Sequence, residues 1–454
     1  MVTRNSESRR QTTRPALQLS EVLAALTRAF DLTEGLLPGH AARTCFLAMR
    51  IGERLRLDEA ARSSLFYTAL LKDAGCSSNA ARVCQIYGAD DRMLKYDYEQ
   101  IDATSLLAAA RFVVAHVGPN DPWARRLLRF TRLAVHGRTL QREVERTRRE
   151  QGAGIARRLG FDESVAAAVH AVGEAWDGRG QPLGLRHDGI PLLARIVSVA
   201  QTADIFARPS PATAVAVLRA RRGRSLDPEI VDVFLELAAW EGPKLWQELW
   251  ESNPNALIKD HEPPERRIAA DEARIDQVAL AFAEVIDAKS PFTGRHSYNV
   301  ALVAEAIGRR LGLDDPHCQR LRWAGLMHDL GKLAVPNTIL DKPGRLTESE
   351  MALIREHPAN TLDILGRVPA LYDVGELAAC HHERLDGKGY FRGLSAEQLS
   401  LSARSIAVAD IWEALTVDRP YRAAMPPEQA LANRDGMVGD HIAREAYDAL
   451  KNVL

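Results

Sequence analysis

Trp323-Ala324-Gly325-Leu326-Met327-His328-Asp329-Leu330-Gly331-Lys332 sets an imidazole, a carboxylate and an ammonium at the end of an apolar run. His296 lies upstream of it, and His357, the pair His381-His382 and Asp410 lie downstream. Neutral imidazoles and carboxylates are the ligands that iron, manganese and zinc accept. On periodic apolar segments this set is enough to hold two ions, and it makes the second half of the chain a candidate metal-dependent hydrolase.

The segments that carry the set read as helices. In His296–Leu313 the apolar residues Val300, Val303, Ile307 and Leu311 recur at roughly helical spacing. Alternating β-branched runs are scarce, and glycine and proline fall between periodic segments, as in Asp341-Lys342-Pro343-Gly344. The expected fold is all-α, with two tandem helical domains and the metal site in the second.

An internal repeat supports that division. Gly39-His40-Ala41 through Leu57-Asp58 lines up with Arg295-His296-Ser297 through Leu313-Asp314, and the same offset brings Lys72-Asp73-Ala74-Gly75 onto His328-Asp329-Leu330-Gly331. Later, Trp176-Asp177-Gly178-Arg179-Gly180 parallels Leu385-Asp386-Gly387-Lys388-Gly389. The chemistry is not repeated. Lys72 stands for His328, Cys76 for Lys332, Gln151 for His357, Val172 and Gly173 for His381 and His382, and Gln201 for Asp410, so only His40 and Asp73 survive. The first half is therefore expected to be a non-catalytic copy. Its role is regulation or dimerisation, or simply a buttress. The boundaries expected are a disordered tail over 1–14, the degenerate domain over 15–250, a linker over 251–268 and the catalytic domain over 269–454. Trp240, Trp246 and Trp250 read as core residues closing the first half, with an interdomain or dimer surface as the alternative.

Bulk composition excludes little but excludes it cleanly. A chain of 454 residues is long for one core. Its formal charge of −1 gives no global field toward nucleic acid or an anionic membrane. Five cysteines without a Cys-x-x-Cys pair read as reduced thiols. No apolar run has membrane-spanning length, and the first residues lack an apolar signal-peptide core. A cytoplasmic protein is expected.

Residues from about 280 to 425 resemble the HD-GYP family, a branch of the HD superfamily of metal-dependent phosphohydrolases. The resemblance runs in order through Thr293-Gly294-Arg295-His296, His328-Asp329-Leu330-Gly331-Lys332, Val335 to Gly344, His357-Pro358, His381 to Tyr390, Val408-Ala409-Asp410 and Asp418-Arg419-Pro420-Tyr421-Arg422. It implies an all-helical core and hydrolysis of cyclic di-GMP, with the linear dinucleotide pGpG as first product and pGpG or GMP as the final one. It implies His296, His328 and Asp410 around one metal, and His357, His381 and His382 around the other. Asp329 suits a bridge, since each carboxylate oxygen can bind one ion. Lys332 is a point charge for a phosphate oxygen, and Arg419 and Arg422 are planar forks for phosphates. The resemblance places Tyr390 and both arginines near the substrate. Two divalent ions, iron or manganese, are the expected cofactors. The expected partners are a cyclic dinucleotide, diguanylate cyclases of the GGDEF type and a second copy of the chain. Nucleic acid and membrane are not expected.

Four residues depart from the family pattern. Phe391 follows Gly389-Tyr390 where the family has proline. Phe292 stands where some members carry a glutamate for a third metal, so two metals are expected. Glu413 replaces an aspartate, and Thr361 a glycine. Two other functions compete with the phosphodiesterase: a nucleotide-binding scaffold with little turnover, and a hydrolase of another nucleotide. The intact ligand set argues against the scaffold. His187, His261, His317 and His441 are expected to be ordinary packed or solvated histidines.

Overall fold

The computed structural model describes residues 17–101, 105–418 and 423–454. The tail expected over 1–14 lies outside them. The described residues form helices joined by short turns, with isolated bridges and no strand ladder. The fold is all-α, as the periodicity requires.

The expected helix at His296 runs His296–Arg310 and buries Val300, Ala301, Ala304 and Ile307. Gly312, at φ +81°, turns the chain out of it. Asp314 caps the next helix, Asp315–Met327, by accepting from the His317 amide at 2.9 Å. The two helices pack so closely that a Cβ on Gly325 would sit 2.6 Å from the Ala301 Cα. That approach brings the start of one helix, His296, against the end of the other, His328.

The first half repeats this construction. Helix His40–Arg54 matches His296–Arg310, and helix Glu59–Leu71, capped by Asp58, matches Asp315–Met327. Further along, Glu174 accepts from the amides of Leu183 and Leu185, and Glu383 does the same with Arg392 and Leu394. The offset between halves is 256 residues at His40 and 209 at Glu174, so the first half is longer by 47 residues in between.

The extra length corrects one expected pairing. A Cβ on Gly75 would meet the Arg148 carbonyl at 1.8 Å, and one on Gly331 would meet the His357 carbonyl at 1.9 Å. Arg148, not Gln151, is thus the counterpart of His357. The insertion hides the register, because nothing in the sequence marks where it ends within helix Trp123–Arg158.

Both halves share one apolar core, which joins Leu23, Phe30, Phe46 and Phe66 to Phe282, Ile307, Leu326 and Ile406. The segment 251–268 is itself helical over Pro254–His261 and packs on His40–Arg54. Its end pairs with the start of the described chain: Leu19 N donates to Ile268 O and Ala270 N to Leu17 O, both at 2.7 Å. Of the three tryptophans, only Trp246 packs against the core. Trp240 is 83% exposed, and Trp250 lies under the Arg43 guanidinium, 4.6 Å from its ring centroid. Helix Pro228–Glu251 turns Trp240 to its outer face, which residue type alone does not reveal.

Candidate metal centre

His296, the first residue of its helix, and His328, the cap ending the next, point at one another with their Nε2 atoms 3.2 Å apart. Asp329 and Asp410 close the group: His296 Nε2 is 3.4 Å from Asp329 Oδ2 and 3.4 Å from Asp410 Oδ1. On the other side, His357 Nε2 and His381 Nε2 are 2.9 Å apart and lie 3.5 and 3.6 Å from Asp329 Oδ1. Each oxygen of Asp329 therefore faces its own pair of imidazoles. His382 joins the second group, its ring 4.0 Å from His381 and 5.0 Å from His357 between centroids. The ligand atoms within each set of three (His296, His328, Asp410; His357, His381, His382) lie within 4.8 Å of one another.

The donor set suits divalent cations on its chemistry. Asp329 Oδ1 is buried without a hydrogen-bond partner, a costly state unless a cation meets it. His296, His328, His357 and His381 offer Nε2 to the centre, because Nδ1 is engaged elsewhere. His328 Nδ1 bonds Gly325 O, His357 Nδ1 bonds Ile354 O and His381 Nδ1 bonds Ala378 O, at 2.6–2.8 Å. Such bonds fix tautomer and aim. Burial holds His357 and His382 well below the usual imidazole range and His381 at about 4, so these rings stay neutral and free to ligate. His296 differs. Burial pulls it down, but bonds to Asp329 and Glu413 outweigh that and raise it to about 9.

Glu413 is the partner of His296 Nδ1. The extra methylene over aspartate does not break this contact. Glu413→Ala is expected to lower metal affinity about 10- to 100-fold, measured by competitive chelator titration. An unchanged affinity would make the contact incidental.

Adjacent His381 and His382 are not on a helix. They occupy the turn after helix Tyr372–Ala378, and that local distortion lets both rings reach one side of the centre. Lys332 rides a 3-10 turn, Leu330–Ala334, rather than an α-turn, and its Nζ lies 2.6 Å from Asp329 Oδ2. Tyr390 leans over His382, 4.6 Å between centroids. Burial raises its phenol, which keeps it a hydrogen-bond donor. Arg419 and Arg422 lie outside the described residues. Phe292 offers no ligand atom. His261 packs edge-on to Phe46 and the His317 ring bonds Asp314, the cap of its own helix, as ordinary histidines do.

Thr361 was legible only as a departure from a pattern, and the structure gives it a role. Its hydroxyl donates to His328 O and accepts from Gly331 N, both at 2.9 Å, tying down the backbone around Asp329. Asp287 caps the His296 helix by accepting from the Ser297 amide and hydroxyl.

In the first half the corresponding space holds side-chain cations. Lys72 Nζ lies 3.0 Å from His40 Nε2 and bonds Asp73 Oδ2, while Arg148 Nη2 donates to Asp73 Oδ1 at 2.8 Å. His40 Nδ1 bonds Asp204, which stands where Glu413 stands in the second half. One ammonium and one guanidinium thus meet the two oxygens of Asp73, where two pairs of imidazoles meet those of Asp329. Lys72 is buried. Its replacement by methionine would leave Asp73 short of a partner, at a cost of about 3–5 kcal/mol, read as a lowered urea midpoint. An unchanged midpoint would contradict this account of the pair.

The HD domain family matches residues 138–230 and 281–445. The chain is 40% identical over 437 residues to 3′3′-cGAMP-specific phosphodiesterase 3 of Vibrio cholerae, covering 96% of this chain and 94% of that one. It is 45% identical over 143 residues to a cyclic di-GMP phosphodiesterase of Pseudomonas aeruginosa, covering 31% of this chain and 34% of that one. The crystal structure of a cyclic GMP-AMP-specific phosphodiesterase of V. cholerae superposes with a TM-score of 0.66 at 36% identity, covering 96% of this chain and 98% of that one.

Proposed function

Because the chain belongs to the HD domain family, in its HD-GYP branch, we propose that it is a metal-dependent phosphodiesterase of cyclic dinucleotides, with 3′3′-cGAMP favoured over cyclic di-GMP. The observation that carries the chemistry is Asp329, whose two oxygens face two separate imidazole pairs. His296, His328 and Asp410 would hold one divalent ion, and His357, His381 and His382 the other, with Asp329 between them and iron or manganese as the metal. When bound, such ions would neutralise the phosphodiester and make water a better nucleophile.

The chain's own groups do the rest. Lys332, held beside Asp329, supplies a point charge for a phosphate oxygen as negative charge develops. Tyr390 donates from the side of His382 and orients the substrate. Arg355 lies 5.7 Å from the centroid of the Tyr390 ring and adds positive potential at the rim. Water adds to phosphorus in line, the 3′ oxygen leaves with a proton, and the first product is a linear dinucleotide.

The choice of substrate rests on coverage. The relative named for 3′3′-cGAMP matches nearly the whole chain, including the copy without ligands. The Pseudomonas relative named for cyclic di-GMP matches 31% of this chain. Metal-loaded protein is expected to cleave 3′3′-cGAMP with a higher kcat/KM than cyclic di-GMP, measured by chromatography of the products. The reverse order would restore cyclic di-GMP as the substrate. Tight binding of either without cleavage would favour a signalling scaffold.

A further inference from the structure

We propose that Asp91 and Arg92, in the stretch by which the first half is longer, are positioning residues for the catalytic turn of the second half. The turn Leu330–Ala334 follows Asp329 directly and carries Lys332. Its entry is fixed from within the second half, by Thr361 on His328 O and Gly331 N. Its exit is fixed from the first half. Arg92 Nη1 donates to Ala334 O, while its Nε donates to Leu32 O at 2.9 Å, so one guanidinium ties the turn to helix Leu19–Glu34.

Asp91, fully buried, accepts from the Asn337 amide at 2.9 Å and caps the short helix that follows the turn. Its second oxygen lies 3.7 Å from Lys289 Nζ, also fully buried. The Asn337 side chain passes the restraint on, donating to Lys289 O at 2.7 Å and to Asp341 Oδ2 at 2.8 Å. The spacing of the halves is as telling as the bonds. Asp91 and Arg92 fall between Cys76 and Arg148, where the first half has 47 residues more than the second. The half that lacks the ligands therefore carries an added segment, and that segment grips the one turn on which Lys332 depends.

Resting on the reading of Lys332 given above, loosening the exit should misplace the ammonium without removing a metal ligand. An error near 1 Å in such a group costs up to about 100-fold. Arg92→Gln in the full chain is expected to lower kcat about 10- to 100-fold, with KM within about twofold and metal content unchanged. Arg92→Lys, which keeps a donor, should recover part of the loss. In a Lys332→Met background, Arg92→Gln should cost little more, since both act through one group. A full additional loss in that background, wild-type kcat in the single variant, or metal lost together with kcat would each overturn the proposal. Hydrogen exchange gives a readout independent of activity: amides of 330–337 should exchange faster in Arg92→Gln and in Asp91→Asn, while helix His296–Arg310 keeps its protection. Unchanged exchange at 330–337 would refute the clamp even if wild-type protein cleaved no cyclic dinucleotide, a result that would instead count against the proposed substrate.

Discussion

Replacing Asp329 by alanine is expected to abolish turnover, to below about one part in a thousand, and to strip the centre of bound metal. The carboxylate lies between two pairs of imidazoles: Oδ2 faces His296 and His328, and Oδ1 faces His357 and His381. Without it, five imidazoles and Asp410 would have to hold two dications with a single carboxylate. The charge left uncompensated in a buried site would disfavour both ions. Turnover assays on protein reconstituted with Mn(II) or Fe(II) check this. A variant that keeps a tenth of the wild-type rate would remove Asp329 from the chemistry.

The second large effect is at Lys332. Its ammonium bonds Asp329 Oδ2, and the side chain is 19% exposed, on the open side of the centre. A dication near Asp329 would repel that ammonium, leaving it free to face an incoming phosphate. Lys332→Met should keep both metals and lower kcat about 100- to 1000-fold, the range for losing one charge aimed at the developing oxyanion. Steady-state kinetics beside metal analysis separates this from Asp329→Ala, which loses both. Wild-type kcat in Lys332→Met would make the lysine a structural counter-ion.

The fold class was legible because helical spacing repeats in segment after segment, and the convergence of His296, His328, Asp329, His357, His381, His382 and Asp410 was legible because these residues stand in a fixed order. The His328-Asp329 pair and the duplicated Gly39-His40 and Arg295-His296 starts gave the register of the two halves up to Cys76. Between Cys76 and Val172 local pattern is not informative, and it becomes so again at Trp176–Gly180. The insertion shifts the register inside helix Trp123–Arg158, so Arg148 was passed over for Gln151. Asp91 and Arg92 could not be found from sequence, since their partners lie about 240 residues away and no spacing rule links them. Thr361 and Glu413 were visible as departures, but their bonds depend on tertiary distance alone. The exposed Trp240 shows the same limit for apolar residues. Which face of a helix is covered depends on what packs there.

We propose a pair of cation positions in the second half and a permanently filled counterpart in the first. Metal content per full-length chain, measured by mass spectrometry after anaerobic loading with Fe(II) or Mn(II) and removal of free ion, tests it most directly. Two ions per chain are predicted, none in Asp329→Ala and two in Asp73→Ala if that variant folds. A wild-type chain that binds none, or one whose metal survives the loss of Asp329, would contradict the account.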